Sequence, residues 1–375
     1  MRMTAALLVE VGGPLQFEEV ELDPPATGEV LVRLAAAGVC HTDLHYIDGS
    51  IPRRLPLIPG HEGAGEVIEI GPGVQSVAPG DHVVLAFLPS CGRCRWCEDG
   101  EPTLCEMSRR LRDGTMPDGS RRLRRKDGSP VDTLLFVSAF AQYSVVPEAS
   151  VIRVPSSAPW ERLALLGCGF TTGFSAVTRA LGLRAGESLT VVGCGGVGLA
   201  AIQAARFQGA LQVVAVDIDP AKLELARRFG ATDTVIADES AGSTIRKLTG
   251  GAGTDFALEA VGGEQLDKTL ATAFDAIRNG GTVCVLGLGG VEQRTLPISP
   301  LALVTRRKRV VGSLFGDSRF RADIPRYVDL AERALVDLDG LISRIVPFED
   351  INDAVDMLRD RAVLGRTVLT FGDRP

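Results

Sequence analysis

The chain changes rhythm near its middle. From residue 1 to about 150, apolar and polar positions alternate in short segments broken by Gly and Pro, among them LLVEV (7–11), EVLVRLAAAG (29–38) and GEVIEIG (65–71). Period-two alternation between turn residues predicts strands, so this part reads as all-β. After Leu181, strands trade with helices: strand SLTVVG, a helix over 198–209, strand VVAVDI, helix AKLELARRFG, strands DTVIA and FALEAVG, a long helix through Lys268 to Arg278, then strand TVCVLG. That alternation predicts a doubly wound parallel sheet covered by helices. From about Gly312 the tail adds two helical patterns, IPRYVDLAERAL and INDAVDMLRD, and a last strand, TVLTF.

Composition narrows the class. A chain of 375 residues is long enough for two cores, and with aromatics at 5% those cores must be built from Val, Leu, Ile and Ala. The formal charge of −7 does not favour nucleic acid or an anionic membrane as partner, and a small-molecule substrate fits better. The opening MRMTAALLVEVGGP has an apolar run too short for a signal-peptide core. The uncharged stretch from Ser188 to Ala205 is broken by glycines and reads as strand, turn and helix start rather than a membrane span. A cytoplasmic, reducing location is expected, in which cysteine serves metal.

The cysteines carry the chemistry. Cys91, Cys94, Cys97 and Cys105 form C-x2-C-x2-C-x7-C, and four thiolates closing a tetrahedron leave Zn²⁺ no open position, the pattern of structural zinc. Disulfides are the alternative, but the loop is too tight for its members to pair comfortably. Cys40, His61 and Cys168 offer a thiolate, an imidazole and a thiolate, which leaves a fourth position open for catalysis. Two zinc ions per chain are therefore expected, one structural and one catalytic. Cys194 and Cys284 remain, on strands expected to be buried.

A cofactor signal follows the change of rhythm. Gly193-x-Gly195-x-x-Gly198, with Gly196 and Val197 inside it, ends a β-branched strand and opens a helix, so its backbone N–H groups can approach a pyrophosphate at the helix N-terminus. Asp217 ends the next strand, placed to bind a ribose 2′-hydroxyl and repel a 2′-phosphate, which predicts NAD over NADP. Lys222 can lie beside the same ribose. The basic residues Arg109, Arg110, Arg112, Arg121, Arg122, Arg124, Arg125 and Lys126 crowd one loop, either as a solvated surface or as a dock for an anionic group.

Six ordered segments, GVCHTDLH (38–45), GHEGAGEV (60–67), PGDHVV (79–84), CGRCRWC (91–97), LLGCGFTTG (165–173) and VVGCGGVG (191–198), resemble in order and spacing the zinc-containing medium-chain alcohol dehydrogenases over nearly the whole chain. The resemblance implies an α/β plus β protein: a GroES-like catalytic domain over 1–170, a Rossmann NAD-binding domain over 171–311, and a return to the catalytic domain over 312–375. It implies reversible oxidation of a primary alcohol, aliphatic or aromatic, to an aldehyde by hydride transfer to NAD. A proton relay would run from the substrate oxygen through Thr42 and a cofactor ribose to His45. Asp43 would orient the ligand imidazole, and Glu62 matches a family glutamate near the metal. His41 and Arg366 would lie near the pyrophosphate. Ile51, Phe87, Leu134 and Leu288, with Thr42, would line a mostly apolar pocket, and Leu288 would also face the cofactor. The family's glutathione-dependent formaldehyde branch has an arginine at the spacing of Arg109. It has an aspartate where Ile51 stands and a tyrosine where His45 stands, departures that count against the thiol-adduct substrate, which stays the alternative. The phrase HVVLAFLPSCGRC also resembles actinobacterial alcohol dehydrogenases that hold their nicotinamide tightly. Strand RVVGSLFG (309–316) would pair across a two-fold axis in a homodimer, with a tetramer open.

Overall fold

The computed structural model describes residues 1–293 and 295–372. The chain divides into two compact units, one of residues 1–169, 319–334 and 338–375, the other of 170–318 and 335–337. The return to the first unit thus falls at Arg319 rather than at 312, and a short excursion at 335–337 interrupts it.

The first unit carries two sheets. In the larger, strand Glu29–Val39 pairs antiparallel with Glu62–Ile70 and with Arg366–Thr370, so the C-terminal strand lies in the same sheet as the third strand of the chain. Gly38 stands opposite Glu62 and Val39 opposite Thr367. This register places Cys40, just past one strand, beside His61, just before the next, and beside Arg366 at the start of the third. In the smaller sheet, strand Gln16–Leu22 lies between Arg2–Leu7 and Leu123–Arg125. The expected strand LLVEV is displaced: the strand closes at Leu7, Leu8 adds one isolated bridge, and Gly12, at φ 76°, turns the chain. A helix, His41–Ile47, interrupts the region read as all-β, with Leu44, Tyr46 and Ile47 buried.

The second unit is a six-stranded, all-parallel sheet. Numbered by position along the chain, its strands lie in the order 3-2-1-4-5-6, the doubly wound arrangement that binds ligands at the carboxyl ends of the strands. Val192, Val214, Val216, Leu270, Phe274 and Val283 pack in its core, as a chain poor in aromatics requires. The glycine-led helix runs Gly196–Phe207, and the helix expected through Arg278 is Leu266–Ala276, because the chain is already extended at Ile277. Helix Ala241–Leu248 is not anticipated by the pattern. Only four residues of RVVGSLFG are strand, Arg309–Gly312, and they form an edge of the sheet. Among the described residues, no helix is long and apolar enough to cross a membrane.

Candidate active site

Helix His41–Ile47 begins at Cys40, and a reciprocal cap builds the site from the backbone outward. The fully buried Asp43 accepts the Cys40 N–H at 3.0 Å through Oδ2. Through Oδ1 it accepts the Gly60 N–H at 3.1 Å and the His61 Nδ1–H at 3.0 Å. One carboxylate therefore fixes the backbone of one thiol and the tautomer of the imidazole, the role of a carboxylate behind a metal-bound histidine. With Nδ1 held, His61 Nε2 is left buried without a hydrogen-bond partner. Cys168 arrives after helix Trp160–Leu166 through Gly167, where a Cβ would stand 2.8 Å from the Leu85 carbonyl oxygen and 3.2 Å from the Glu62 Cα. Glycine is what allows that approach.

Ligand atoms of Cys40, His61, Glu62 and Cys168 all lie within 4.8 Å of one another and are buried. Arg366 Nη2 is 2.9 Å from Glu62 Oε1, both side chains being almost fully enclosed. Room for Glu62 comes from Gly38 opposite it, where a Cβ would meet the carboxylate at 2.1 Å. Burial pushes the Glu62 carboxyl up to about 7 against the pull of the Arg366 guanidinium. Cys40 is held well below the usual thiol range, first by a hydrogen bond from Cys168 and then, against burial, by Arg366 and His61. An unpaired imidazole nitrogen facing two sulfurs fits zinc. Two thiolates cancel the charge of Zn²⁺, and the Glu62–Arg366 pair adds none.

Thr42 is partly buried and His41 exposed on the same helix. His45 Nδ1 lies 2.9 Å from the Ser50 hydroxyl, a partner not anticipated from the sequence. Burial lowers the His45 pKa below the ordinary imidazole value. Phe87 meets the His61 ring edge-on at 5.7 Å. Ile51 and Phe87 keep narrow exposed faces, whereas Leu134 has none.

The four-thiolate loop fits zinc equally well. Sγ of Cys91 and Cys97 are 4.0 Å apart and those of Cys94 and Cys105 3.9 Å, close to the edge of about 3.8 Å expected for a tetrahedron with Zn–S near 2.3 Å. A disulfide would need about 2 Å, and none joins these cysteines or any others among the described residues. The Glu106 and Cys97 N–H groups lower Cys94 to about 6, toward the thiolate.

In the second unit, Gly193 adopts φ 96°, and a Cβ on Gly198 would stand 1.9 Å from the Gly193 carbonyl oxygen, so the turn closes only with glycine there. A Cβ on Gly195 would meet nothing, which leaves a cradle beside the free N–H groups at the helix start, residues Gly196, Val197 and Gly198. Asp217 ends its strand and accepts the Cys194 N–H at 2.7 Å and the Asp219 N–H at 3.0 Å. Lys222 is half-buried on the following helix, and Leu288 is exposed on a loop. Cys194 lies in the glycine turn rather than on a strand, and burial drives its thiol far above the usual range. Glu259 escaped the sequence reading. Fully buried, it accepts the Val261 N–H, the Gly262 N–H and the Thr269 hydroxyl through Oε1 and the Gly287 N–H through Oε2, tying together the loops after two adjacent strands.

Two family models match: the alcohol dehydrogenase GroES-like domain over residues 26–156 and the zinc-binding dehydrogenase over 196–333. The chain is 40% identical over 360 residues to the NDMA-dependent alcohol dehydrogenase of Amycolatopsis methanolica, covering 96% of each. The chain belongs to the zinc-containing medium-chain alcohol dehydrogenases. It is also 38% identical over 365 residues to an S-(hydroxymethyl)glutathione dehydrogenase of Synechocystis, covering 96% of this chain and 97% of that one. The crystal structure of benzyl alcohol dehydrogenase from Acinetobacter calcoaceticus superposes with a TM-score of 0.92 at 31% identity, over 99% of this chain and 100% of that one. As a zinc alcohol dehydrogenase, this chain is an oxidoreductase acting on alcohols.

The basic loop has a structural explanation. The acidic strand Gln16–Leu22 pairs with the basic strand Leu123–Arg125, and Arg125 reaches Glu18 at 2.7 Å, Lys126 reaches Glu19 at 3.3 Å, and Arg124 reaches Asp23 at 2.8 Å. Arg122 grips Glu29 with two hydrogen bonds, Arg121 reaches Asp132 at 2.9 Å, and Arg109 reaches Glu106 at 3.0 Å. These cations are matched by carboxylates.

Proposed function

We propose that this dehydrogenase oxidises primary alcohols to aldehydes with NAD, through a catalytic zinc held by Cys40, His61 and Cys168 and a structural zinc held by Cys91, Cys94, Cys97 and Cys105. The observation that carries the reading is the buried His61 Nε2, unpartnered and aimed into a cluster with two thiols while Asp43 holds Nδ1. When bound, zinc supplies Lewis acidity toward a hydroxyl and oxidised nicotinamide accepts hydride. The chain's own residues do the rest. Asp43 keeps the imidazole in the tautomer that presents Nε2. Thr42 passes the substrate proton onward, and His45, kept neutral by burial, receives it while Ser50 orients its ring. Gly193, Gly195 and Gly198 shape the pyrophosphate turn. Asp217 selects NAD against NADP, and Lys222 borders the same ribose. Ile51 and Phe87, which keep narrow exposed faces, set an apolar wall suited to aliphatic or aromatic alcohols, whereas Leu134 is enclosed.

A homodimer paired through the edge strand Arg309–Gly312 is part of this proposal, supported by exposed Leu301 and Val304 on the preceding helix. The test is a panel of primary alcohols with NAD, run with and without an external electron acceptor, alongside zinc analysis. Turnover with NAD alone indicates an exchanging cofactor, and turnover only with the acceptor indicates one that stays bound. Activity that requires an added thiol would replace this reading by the thiol-adduct one. No alcohol turnover under either regime in zinc-loaded protein would overturn both.

A further inference from the structure

A cavity of about 650 Å³ opens in the second unit, lined by Arg246, Arg278, Arg306 and Lys308 with Asp275 as the one acid. Its lining comes from the end of helix Ala241–Leu248, the start of strand Ile277–Val285 and the segment before strand Arg309–Gly312. In a parallel sheet that is the amino edge of the strands, whereas the glycine turn follows the carboxyl end of strand Ser188–Val192. A five-residue strand separates the two edges by roughly 17 Å at 3.3 Å per residue.

The walls are latched by the backbone: the Gly251 N–H donates to the Arg246 carbonyl at 2.7 Å, and the Gly280 N–H to the Arg306 carbonyl at 2.8 Å. Two cations are aimed by neutral acceptors. Arg246 donates to the Asp275 carbonyl at 3.1 Å and Lys308 to the Phe274 carbonyl at 2.5 Å. Arg278 is paired with Asp255 at 2.7 Å, and no hydrogen bond or ion pair to the Arg306 side chain is found among the described residues. Arg307, between Arg306 and Lys308, takes φ 51°, a conformation disfavoured for a residue with a Cβ. The contrast with the loop at 109–126 is the point: there, cations meet carboxylates, and here a chain of net charge −7 gathers positive charge around a cavity and leaves most of it unmatched. Burial and the neighbouring Arg306 and Arg246 lower the Lys308 pKa, with Asp275 opposing them. An anion would relieve that repulsion and offer the guanidinium groups bidentate partners.

We propose that this cavity binds a small polyanion of the phosphate or carboxylate kind, on the edge of the sheet away from the glycine turn. The test is calorimetric titration of the full-length, zinc-loaded enzyme with inorganic pyrophosphate and with citrate, repeated for Arg306→Ala and Arg246→Ala. Both side chains are exposed, so folding is not at risk, and unchanged melting temperature and alcohol turnover without ligand verify this. Each variant is expected to bind about tenfold more weakly, through loss of a charge-assisted contact. Pyrophosphate binding more tightly than citrate assigns the phosphate kind, and the reverse assigns the carboxylate kind. Binding undiminished in both variants would place the anion at the glycine turn or on zinc and overturn the proposal, as would no binding at millimolar concentration.

Discussion

Replacing Asp43 by Asn tests the metal site without touching a ligand. The side chain is fully buried and meets three donors, the Cys40 N–H on one oxygen and the Gly60 and His61 donors on the other. An amide keeps one acceptor oxygen. Placed to serve Gly60 and His61, it turns its NH₂ against the Cys40 N–H, and a buried donor loses its partner at about 1–3 kcal/mol. The imidazole also loses a charged acceptor. Loss of such an outer carboxylate typically weakens metal binding about 10–100-fold, and that range corresponds to about 1.4–2.7 kcal/mol. Two independent routes thus agree in size. The assay is zinc content after dialysis against chelators of graded strength, with the four-thiolate site as an internal reference. Zinc should fall from two per chain toward one at a chelator strength that leaves the parent enzyme fully loaded, and turnover should fall in proportion. Equal zinc retention by Asp43→Asn and the parent would refute the reasoning. So would loss of turnover with both zinc ions in place, because Asp43 would then act on the chemistry and not on the metal.

Three further outcomes are expected. Asp217→Gly should shift the kcat/KM ratio toward NADP, and it should also raise KM for NAD, because the same carboxylate accepts the Cys194 and Asp219 N–H groups; a parent enzyme that already uses NADP as well as NAD would contradict this. His45→Gln should reduce alcohol oxidation most on the acid side. Burial lowers the His45 pKa, so the parent keeps a neutral acceptor to below about 6.5, and the variant should recover only as pH rises and solvent takes the proton. An unchanged pH profile in a chemistry-limited step would remove His45 from the relay. Cys94→Ser should lower melting temperature and soluble yield while sparing the cysteine and histidine cluster at Cys40, and a variant of parental stability holding both zinc ions would argue against a structural role.

The metal donors were legible because zinc chemistry demands few residue types, and spacing alone closes the four-thiolate loop. Asp217 and the glycines were legible because a strand, a turn and a helix must follow one another in sequence. What stayed hidden depends on distant pairing. That Arg125 belongs to Glu18 follows from strand register, and that Arg122 belongs to Glu29 follows from the meeting of two sheets, so much of a cluster that reads as a free basic loop becomes the facing half of an acidic strand. Helix Ala241–Leu248 was missed because AGSTIRKL has two buried positions, Ala241 and Ile245, too few to set a period. The helix expected to reach Arg278 ends at Ala276 because Ile277 already pairs with Thr254 in the sheet, a tertiary constraint that overrides local propensity. Glu259 carried no motif, and only the four donors gathered around it mark it out.

The two metal sites are built on different supports, and this explains why their loss should be felt differently. Cys40 and His61 flank paired strands, Glu29–Val39 and Glu62–Ile70, whose register is fixed along eight residue pairs from Val30↔Ile70 to Gly38↔Glu62. Asp43 ties the Cys40 and Gly60 backbones to the imidazole, and the Gly167 approach brings in Cys168. The protein holds this geometry with its own hydrogen bonds, so removing metal should cost activity before it costs fold. The loop from Cys91 to Cys105 has only the single turn Arg95–Glu98 and the short 3₁₀ turn Pro102–Leu104, with no strand pairing. Ordering that length of irregular backbone costs about 1–2 kcal/mol per residue. Its backbone hydrogen bonds are local turns, such as Glu98 N–H to the Cys94 carbonyl and Cys105 N–H to the Pro102 carbonyl, so the four thiolates must draw much of that cost from the metal. A preorganised site suits an ion that keeps an open position for chemistry, and a metal-dependent loop suits an ion that keeps none.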